Sequence, residues 1–175
     1  MEASVFIATS LDGFIARKDG DIDWLGDPED DQDDYGYYRF METIDYLVMG
    51  RNTYEKVLSF GIPWPYEKPV VVLTSRPLDL PDELSGKVEA MPGPVGAVAA
   101  ALEERGAKHL YIDGGRTIQS FLAAGLVGRL ILTRIPVLLG EGIPLFGPLP
   151  GDLPLKHVET RAFEDGFMQS EYEVM

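Results

Sequence analysis

The sequence predicts an α/β fold with a mixed, mainly parallel sheet, helices on its faces and an antiparallel hairpin at the C-terminus. In the first two thirds of the chain, short runs rich in β-branched residues alternate with helical patterns. Such alternation implies right-handed crossovers and therefore a mainly parallel sheet. The hairpin is predicted from Asp165-Gly166, which lies between two runs of alternating polarity.

The strands are predicted from short apolar and β-branched runs that are bounded by glycine, proline or charged residues. These runs lie at residues 4–9, 46–49, 70–74, 109–113, 129–138, 155–163 and 167–174. After residue 129 no helical pattern remains, so the last three strands follow one another directly.

Four helices are predicted between the earlier strands. Apolar residues at i, i+3, i+4 and i+7 indicate a helix that ends near Asp45, with the stripe Tyr37, Phe40, Met41 and Ile44. A shorter stripe consists of Tyr54, Val57 and Leu58. Two further helices, at 95–105 and 117–124, are followed by Gly106 and Gly125, which suit left-handed C-terminal caps.

Composition excludes several classes of function. The 175 residues include 29 acidic and 15 basic ones, and the resulting net charge of −14 repels nucleic acid. The absence of cysteine excludes disulfides and thiolate sites, and two histidines, His109 and His157, are too few for a histidine-rich metal centre. No apolar run approaches the ~20 residues of a membrane helix, and the N-terminus lacks the basic start of a secretory signal. We therefore expect one cytoplasmic domain over residues 1–175 that binds neither membrane nor nucleic acid.

Residues 19–34 contain nine acids and no base, which predicts a hydrated surface loop. Five of these acids match positions 1, 3, 5, 9 and 12 of a calcium loop: Asp19, Asp21, Asp23, Asp27 and Asp30. However, Trp24 stands where such a loop needs glycine for its sharp turn. We therefore predict no metal site.

Three arginines directly follow three of the predicted strands, where a parallel sheet binds its ligands. They lie in the segments Gly50-Arg51-Asn52-Thr53, Ser75-Arg76-Pro77 and Gly114-Gly115-Arg116-Thr117. The first and third segments open helices, whose free N–H groups favour an anion, and paired glycines allow close approach to a pyrophosphate. By itself the Gly-Gly pair would be typical of a plain turn. Together the three segments predict a ligand with several phosphates.

Five motifs carry a family resemblance: ATSLDGFIA (8–16), YLVMGRNTYE (46–55), VVVLTSRP (70–77), IDGGRTIQSFLAAGLV (112–127) and PVLLGEGIPLF (136–146). In this order they resemble the dihydrofolate-reductase-like fold and, most closely, the reductase (C-terminal) domain of riboflavin biosynthesis and its free-standing relatives. The resemblance implies a dihydrofolate-reductase-like fold, NADPH as cofactor, hydride transfer to a small-molecule acceptor, and a homodimer.

The resemblance also implies where the cofactor binds. The phosphate-binding turn would consist of Gly50, Arg51, Asn52 and Thr53, and the adenosine 2′-phosphate pocket of Thr74, Ser75 and Arg76. The pyrophosphate turn would consist of Gly114, Gly115, Arg116 and Thr117, and the nicotinamide would lie beside Ala8, Thr9 and Ile15. An arginine near the adenosine ribose favours the 2′-phosphorylated cofactor over NAD.

Hydride transfer also needs a proton, which a carboxylic acid with a raised pKa can supply. Dihydrofolate reductases carry such an acid on the helix before the Met-Gly-Arg turn. By spacing back from Gly50 the matching residue is Asp34, followed by the aromatic pair Tyr37-Tyr38, and Asp12 is the other acid in a family motif. The alternatives are that Asp34 is one more carboxylate of the hydrated loop and that Asp12 is a turn former.

The predicted function is an NADPH-dependent reductase, most like 5-amino-6-(5-phosphoribosylamino)uracil reductase of riboflavin biosynthesis. The sequence departs from that pattern in two segments. LSFGIPWPYEKP (58–69) replaces the usual Asp-Asp-Pro segment, and DGDIDWLGD (19–27) matches the ribose-phosphate motif poorly. The acidic loop would also discourage a phosphorylated substrate. A dihydrofolate reductase and a non-catalytic nucleotide-binding module therefore remain alternatives.

Overall fold

A computed structural model describes residues 1–26 and 34–175 of the chain. The strands within these residues are β1 Glu2–Ser10, β2 Phe14–Ala16, β3 Tyr46–Gly50, β4 Val70–Leu73, β5 Val88–Met91, β6 His109–Asp113, β7 Arg129–Ile135, β8 Ile143–Pro144, β9 Leu155–Ala162 and β10 Met168–Val174. The α-helices are α1 Tyr37–Glu42, α2 Arg51–Ser59, α3 Val95–Glu104 and α4 Gly115–Ala123.

Eight of these strands form one sheet, in the order β5-β4-β3-β6-β1-β7-β10-β9. From β5 to β7 all neighbours are parallel, whereas β10 pairs antiparallel with both β7 and β9. β2 and β8 form a separate antiparallel ribbon next to β1. The predicted α/β class, the mainly parallel sheet and the C-terminal hairpin are confirmed.

Both faces of the parallel part of the sheet are buried, as expected where crossover helices cover it. In β3, Val48 belongs to the core on the α3–α4 face. Its neighbours Leu47 and Met49 belong to the core on the opposite face, together with Phe40 of α1 and Tyr54 of α2. Side chains alternate between the two faces of the sheet along a strand. The residue at each strand end therefore lies on the same face as the residue two positions before it.

Three short strands were not predicted: β2, β5 and β8. They contain three, four and two residues, respectively, which is too short for an alternating pattern to be recognised. In β5, at the edge of the sheet, Glu89 and Ala90 are exposed and only Val88 is buried. Their pairing depends on neighbouring strands rather than on their own sequences.

Two predicted elements end earlier than expected. β7 ends at Ile135 instead of residue 138, because the chain turns at Pro136 and the Val137 N–H donates to the Ile135 carbonyl. The helix predicted to end near Asp45 ends at Glu42, because Thr43 donates both its N–H and its hydroxyl to the Phe40 carbonyl. Ile44 lies outside the helix but is still buried.

The acidic segment falls only partly within the described residues, and Asp27 and Asp30 of the calcium pattern lie outside them. In the described part, Arg17 binds Asp23 at 2.5 Å, and Lys56 of α2 lies 3.6 Å from Asp21. Over residues 1–26 and 34–175, no group of three or more His, Asp or Glu side chains is arranged to hold a metal ion. In the same residues, no helix is both long enough and apolar enough to span a bilayer.

Candidate active site at the carboxyl edge of the sheet

Two strand-to-helix turns pack against each other where β3 and β6 end. We call them the glycine–threonine turns, residues 50–53 and 114–117. A Cβ on Gly50 would lie 3.0 Å from the Thr117 hydroxyl, and a Cβ on Gly114 would overlap the Thr53 hydroxyl. Each turn therefore contributes a glycine that makes room for the threonine of the other, and the two turns occupy adjacent positions because β3 and β6 are neighbours.

Each of these turns leads directly into a helix with a glycine N-cap, Gly50 for α2 and Gly114 for α4. Glycine has no side chain to accept a hydrogen bond from the first N–H groups of a helix. Those groups are therefore free to bind an anion, with the positive end of the helix dipole behind them. Two such helix ends lie side by side at one edge of the sheet.

The glycine–threonine turns line a cavity of about 960 Å³. Ten of the residues predicted to bind the cofactor line it: Ala8, Ile15, Gly50, Arg51, Asn52, Thr53, Gly114, Gly115, Arg116 and Thr117. Gly115 leaves room here for other side chains, because a Cβ on it would come within 3.0 Å of Ile15 and 3.2 Å of Ile143. The structure thus brings the two predicted phosphate-binding turns and two predicted nicotinamide neighbours into one pocket.

Four predicted cofactor residues do not line this cavity. Thr9 is buried in β1. Thr74, Ser75 and Arg76 form the loop after β4, beyond the pocket residue Leu73. The Arg76 side chain is exposed and has no hydrogen-bond or ion-pair partner among the described residues.

The Arg51 guanidinium binds that loop. Its Nε donates to Thr74 Oγ1 at 3.1 Å, and its Nη2 donates to the carbonyls of Arg76 at 2.8 Å and Pro77 at 2.6 Å. Its Nη1 binds Glu55 at 3.1 Å. Arg51 therefore connects the start of α2 to the loop after β4. Its place directly after a predicted strand did not reveal this positioning function.

Replacing Arg51 by lysine is expected to lower the free energy of unfolding by about 1–3 kcal/mol, because an ammonium cannot donate along all of these directions at once. Arg161→Lys is the matched control, since the Arg161 guanidinium makes one exposed ion pair, with Glu159 at 2.7 Å. Urea denaturation of both variants measures the difference. Equal losses for the two variants would contradict the positioning role of Arg51.

The other cations that line the pocket differ in their pairing. Lys18 binds Glu141 at 2.5 Å and Lys56 lies 3.6 Å from Asp21, so both charges are partly neutralised. The exposed Arg116 guanidinium has no partner in residues 1–26 and 34–175. Arg116 is therefore the cation most available to an anion at the two helix ends.

Asp113, the last residue of β6, is a candidate functional residue that the sequence reasoning did not single out. It lines the pocket, and its Oδ1 accepts the Gly114 N–H at 2.8 Å. By strand parity it shares a face with Tyr111, the face that α1 and α2 cover. Burial raises the pKa of the Asp113 carboxyl from 3.8 to about 6, although the Gly114 hydrogen bond opposes the shift. The available signal was an acid at a strand end, directly before Gly-Gly.

The Asp113 charge acts on three tyrosines: Tyr37, Tyr66 and Tyr111. Burial and the Asp113 charge raise the pKa of Tyr37 to about 12, and the same two causes raise the pKa values of Tyr66 and Tyr111. The Tyr111 hydroxyl donates to the Phe6 carbonyl at 2.9 Å. The hydroxyls of Tyr37 and Tyr66 have no partner among the described residues, and Tyr66 lines the pocket.

The structure places Asp12 outside the pocket, where it stabilises a loop. Its carboxylate accepts the Ser10 hydroxyl at 2.6 Å and the N–H groups of Leu139 at 3.1 Å and Gly140 at 2.7 Å. These hydrogen bonds, that of Ser10 above all, lower the pKa of Asp12. An ionised carboxylate with three donors cannot serve as a proton donor near neutral pH, so the turn-former interpretation describes its surroundings better.

Asp34 likewise lies outside the residues that line the pocket. It is exposed, and its two carboxylate oxygens accept the N–H groups of Gly36 at 3.0 Å and Tyr38 at 2.9 Å. It therefore satisfies free N–H groups at the start of α1. Of the acids considered, Asp113 is the one whose carboxyl the structure places in the pocket with a raised pKa.

Known proteins that are similar to this chain indicate its family. The chain is 43% identical, with a TM-score of 0.93, to a solved structure from Shewanella sp. PV-4 that carries a provisional assignment to riboflavin biosynthesis; the match covers 100% of this chain and 99% of that one. It is 37% identical to dihydrofolate reductase HdrB of Haloferax volcanii over 127 residues, 70% of this chain and 62% of that protein.

A more distant match shows the fold alone. Dihydrofolate reductase of Enterococcus faecalis, solved with NADP(H) and RAB-propyl, is 22% identical with a TM-score of 0.68, over 99% of this chain and 96% of that one. The family model described as the RibD C-terminal domain matches residues 4–168, which is nearly the whole chain. The protein therefore belongs to the RibD C-terminal domain family, whose members are reductase-like and have the dihydrofolate-reductase-like fold.

Proposed function

We propose that this protein is an NADPH-dependent reductase that adds a hydride to a C=N bond of a small nitrogen heterocycle. One observation carries the proposal. Two adjacent helix N-termini, the unpaired Arg116 guanidinium and the Asp113 carboxyl all face a single pocket. The phosphates of a dinucleotide need the helix N-termini and the guanidinium, and a reducible acceptor next to the cofactor needs a carboxyl that can donate a proton.

The residues present fit the phosphates of such a cofactor. Both glycine–threonine turns lack side-chain caps, and Gly50 and Gly114 leave no space for a Cβ, so backbone N–H groups and threonine hydroxyls form the pocket wall. Arg116 would bind the pyrophosphate. Arg76, on the loop that Arg51 holds, would bind the adenosine 2′-phosphate. Ala8 and Ile15 would lie beside the nicotinamide.

The chemistry that NADPH supplies is the hydride. On the acceptor, the hydride adds to the carbon of the C=N bond, and the π electron pair moves to the nitrogen. That nitrogen would take the proton of the Asp113 carboxyl, and a proton from solution would replace it. The acceptor would leave as an amine. Asp113 suits this role because burial raises its pKa to about 6, so that a useful fraction is protonated near neutral pH.

Two acceptors are supported: the resemblance to riboflavin-pathway reductases suggests an aminopyrimidine, and the similarity to dihydrofolate reductase HdrB suggests dihydrofolate. The deciding experiment follows the loss of NADPH absorbance with each compound as the sole acceptor. Calorimetry with NADPH measures cofactor binding separately. Binding without reduction of either acceptor would favour the non-catalytic nucleotide-binding module.

Replacing Arg76 by alanine is expected to weaken NADPH binding about 10- to 100-fold and to leave NADH binding unchanged, since NADH lacks the 2′-phosphate. Arg161→Ala is the control, because Arg161 is exposed on β9, outside the pocket, and pairs with Glu159 at 2.7 Å. Titration calorimetry with both cofactors gives the ratio. Equal weakening of both cofactors would remove Arg76 from the 2′-phosphate site.

A further inference from the structure

One part of the pocket is lined by apolar side chains from two neighbouring segments. We call it the apolar cleft, and its members are Ile22, Leu25, Val57 and Phe60. An ion pair between Lys56 and Asp21, at 3.6 Å, holds the two segments side by side, and the Lys56 ammonium lies over the Phe60 ring, 5.7 Å from its centroid. The cleft is therefore bounded by α2 on one side and by residues 21–25 on the other.

The apolar cleft lies some distance from the turns that would bind the phosphates. At a rise of about 1.5 Å per residue, Val57 and Phe60 are about 9 and 14 Å further along the axis of α2 than Arg51, the first residue of the helix. Val57 is buried, whereas Phe60 directly follows the helix, is exposed and lines the cavity. A ligand group in the cleft is therefore well beyond the glycine–threonine turns.

Other apolar residues of the pocket lie beside the positions proposed for the cofactor. Ile15 and Ile143 would lie 3.0 and 3.2 Å from a Cβ on Gly115, in the turn proposed to bind the pyrophosphate. Leu73 ends β4, directly before the loop that carries Arg76, on the side proposed for the adenosine. The cofactor would therefore occupy these places and leave the apolar cleft to the acceptor.

Three of the cleft residues come from the two segments in which the sequence departs from the riboflavin-reductase pattern. Ile22 and Leu25 lie in the segment 19–27, which matches the ribose-phosphate motif poorly, and Phe60 lies in the segment 58–69, which replaces Asp-Asp-Pro. A ribose hydroxyl placed against these side chains would lose its hydrogen bonds to water. An aromatic ring in the same place would gain from burial and from contact with the Phe60 ring.

We propose that the acceptor carries an aromatic arm next to its reducible ring, that this arm binds in the apolar cleft, and that Phe60 is the residue that determines this specificity. The exposed Phe60 ring provides an aromatic contact, which stabilises binding by more than the buried area alone. Lys56, next to that ring, would meet an anionic group at the end of the arm. This inference rests on the proposed reductase function and names its substrate class.

Two dihydropterins with the same reducible ring test the proposal. 7,8-Dihydropteroate carries an aromatic arm, and 6-methyl-7,8-dihydropterin carries none. Each compound is titrated calorimetrically into the protein with and without NADP⁺, which cannot reduce it, and NADPH oxidation is then followed with each. We expect dihydropteroate to bind at least about tenfold more tightly. Equal affinity of the two compounds, or binding of neither, would overturn the proposal.

Substitutions at Phe60 locate the preference. Phe60→Ala is expected to weaken the binding of dihydropteroate about tenfold and to leave the affinities for 6-methyl-7,8-dihydropterin and NADPH unchanged. Phe60→Leu keeps part of the apolar surface, so a smaller loss is expected. Phe146→Ala is the control, because Phe146 is also exposed but is not one of the residues that line the pocket.

The charge of the arm is separated from its ring by Lys56→Gln. If this variant loses the preference for dihydropteroate while Phe60→Ala keeps it, the carboxylate and not the ring is recognised, and Phe60 does not determine the specificity. The reverse result, in which Phe60→Ala loses the preference, supports the proposal.

The outcomes also separate this inference from the proposed function. If NADPH does not bind, the reductase proposal fails, while the titrations without cofactor still compare the two dihydropterins. If NADPH binds but the aromatic arm adds no affinity, the inference fails and the reductase proposal stands.

Discussion

Asp113→Asn is expected to reduce kcat/KM for the acceptor about 10²- to 10³-fold, because an amide cannot deliver the proton that the acceptor nitrogen needs. The affinity for NADPH should change little, since asparagine can still accept the Gly114 N–H. Steady-state rates combined with cofactor titration measure both quantities. A variant with wild-type kcat/KM would exclude Asp113 as the proton donor.

The same residue predicts the pH dependence of the reaction. With a pKa of about 6, the wild-type carboxyl loses its proton as the pH rises through that value, so kcat/KM should decline on the alkaline side of pH 6. The Asp113→Asn variant should have a flat profile over this range. An unchanged alkaline limb in the variant would assign the titration to another group.

Stability should respond to this carboxyl with a defined sign. Its pKa is raised on folding, so between pH 3.8 and about 6 the native state holds more protons than the unfolded state, and stability falls as the pH rises. Asparagine does not ionise. Asp113→Asn should therefore be more stable than wild type by about 3 kcal/mol at pH 8, and this advantage should vanish below pH 4. Urea denaturation at the two pH values measures it.

Gly114→Ala should have the largest effect on stability, lowering the free energy of unfolding by about 3 kcal/mol or more. Gly114 has φ 89° and ψ 140°, a combination that side chains other than glycine rarely adopt, and its Cβ would overlap the Thr53 hydroxyl. Because the substitution pushes the two glycine–threonine turns apart, NADPH affinity should fall as well. Chemical denaturation and cofactor titration measure the two losses.

A second glycine next to the same helix provides the control. Gly125 follows the C-terminus of α4 with φ 65°, and a Cβ on it would meet no atom within 4 Å. Gly125→Ala should therefore cost only the conformational strain, about 1–2 kcal/mol, and leave NADPH binding intact. Adding Thr53→Ala to Gly114→Ala should recover part of the loss. Equal losses for the two glycines, or no recovery, would contradict the overlap argument.

Much of the fold could be predicted because its signals are local. Strands such as β3, β4 and β6 are short β-branched runs bounded by turn residues, and the Asp165-Gly166 turn predicts the hairpin from two residues. The homodimer, which was predicted from the family resemblance, stays a prediction. β5 and the β2–β8 ribbon could not be predicted, because their pairing partners, and not their own sequences, make them strands.

The sequence by itself determined the alternation of strands and helices, the family and the two turns that open onto the pocket. Backbone periodicity and glycine placement act within a few residues, so they can be recognised without the fold. Only the tertiary structure decided which charges are available. It commits Arg51 to a loop 25 residues away, and it binds Asp12 to backbone N–H groups 127 and 128 residues away. It also buries Asp113 and places it within electrostatic reach of Tyr37 and Tyr66, which come from two other segments. Burial and hydrogen bonding depend on residues far apart in the chain, so the reactivity of a carboxyl is decided only when the fold brings them together.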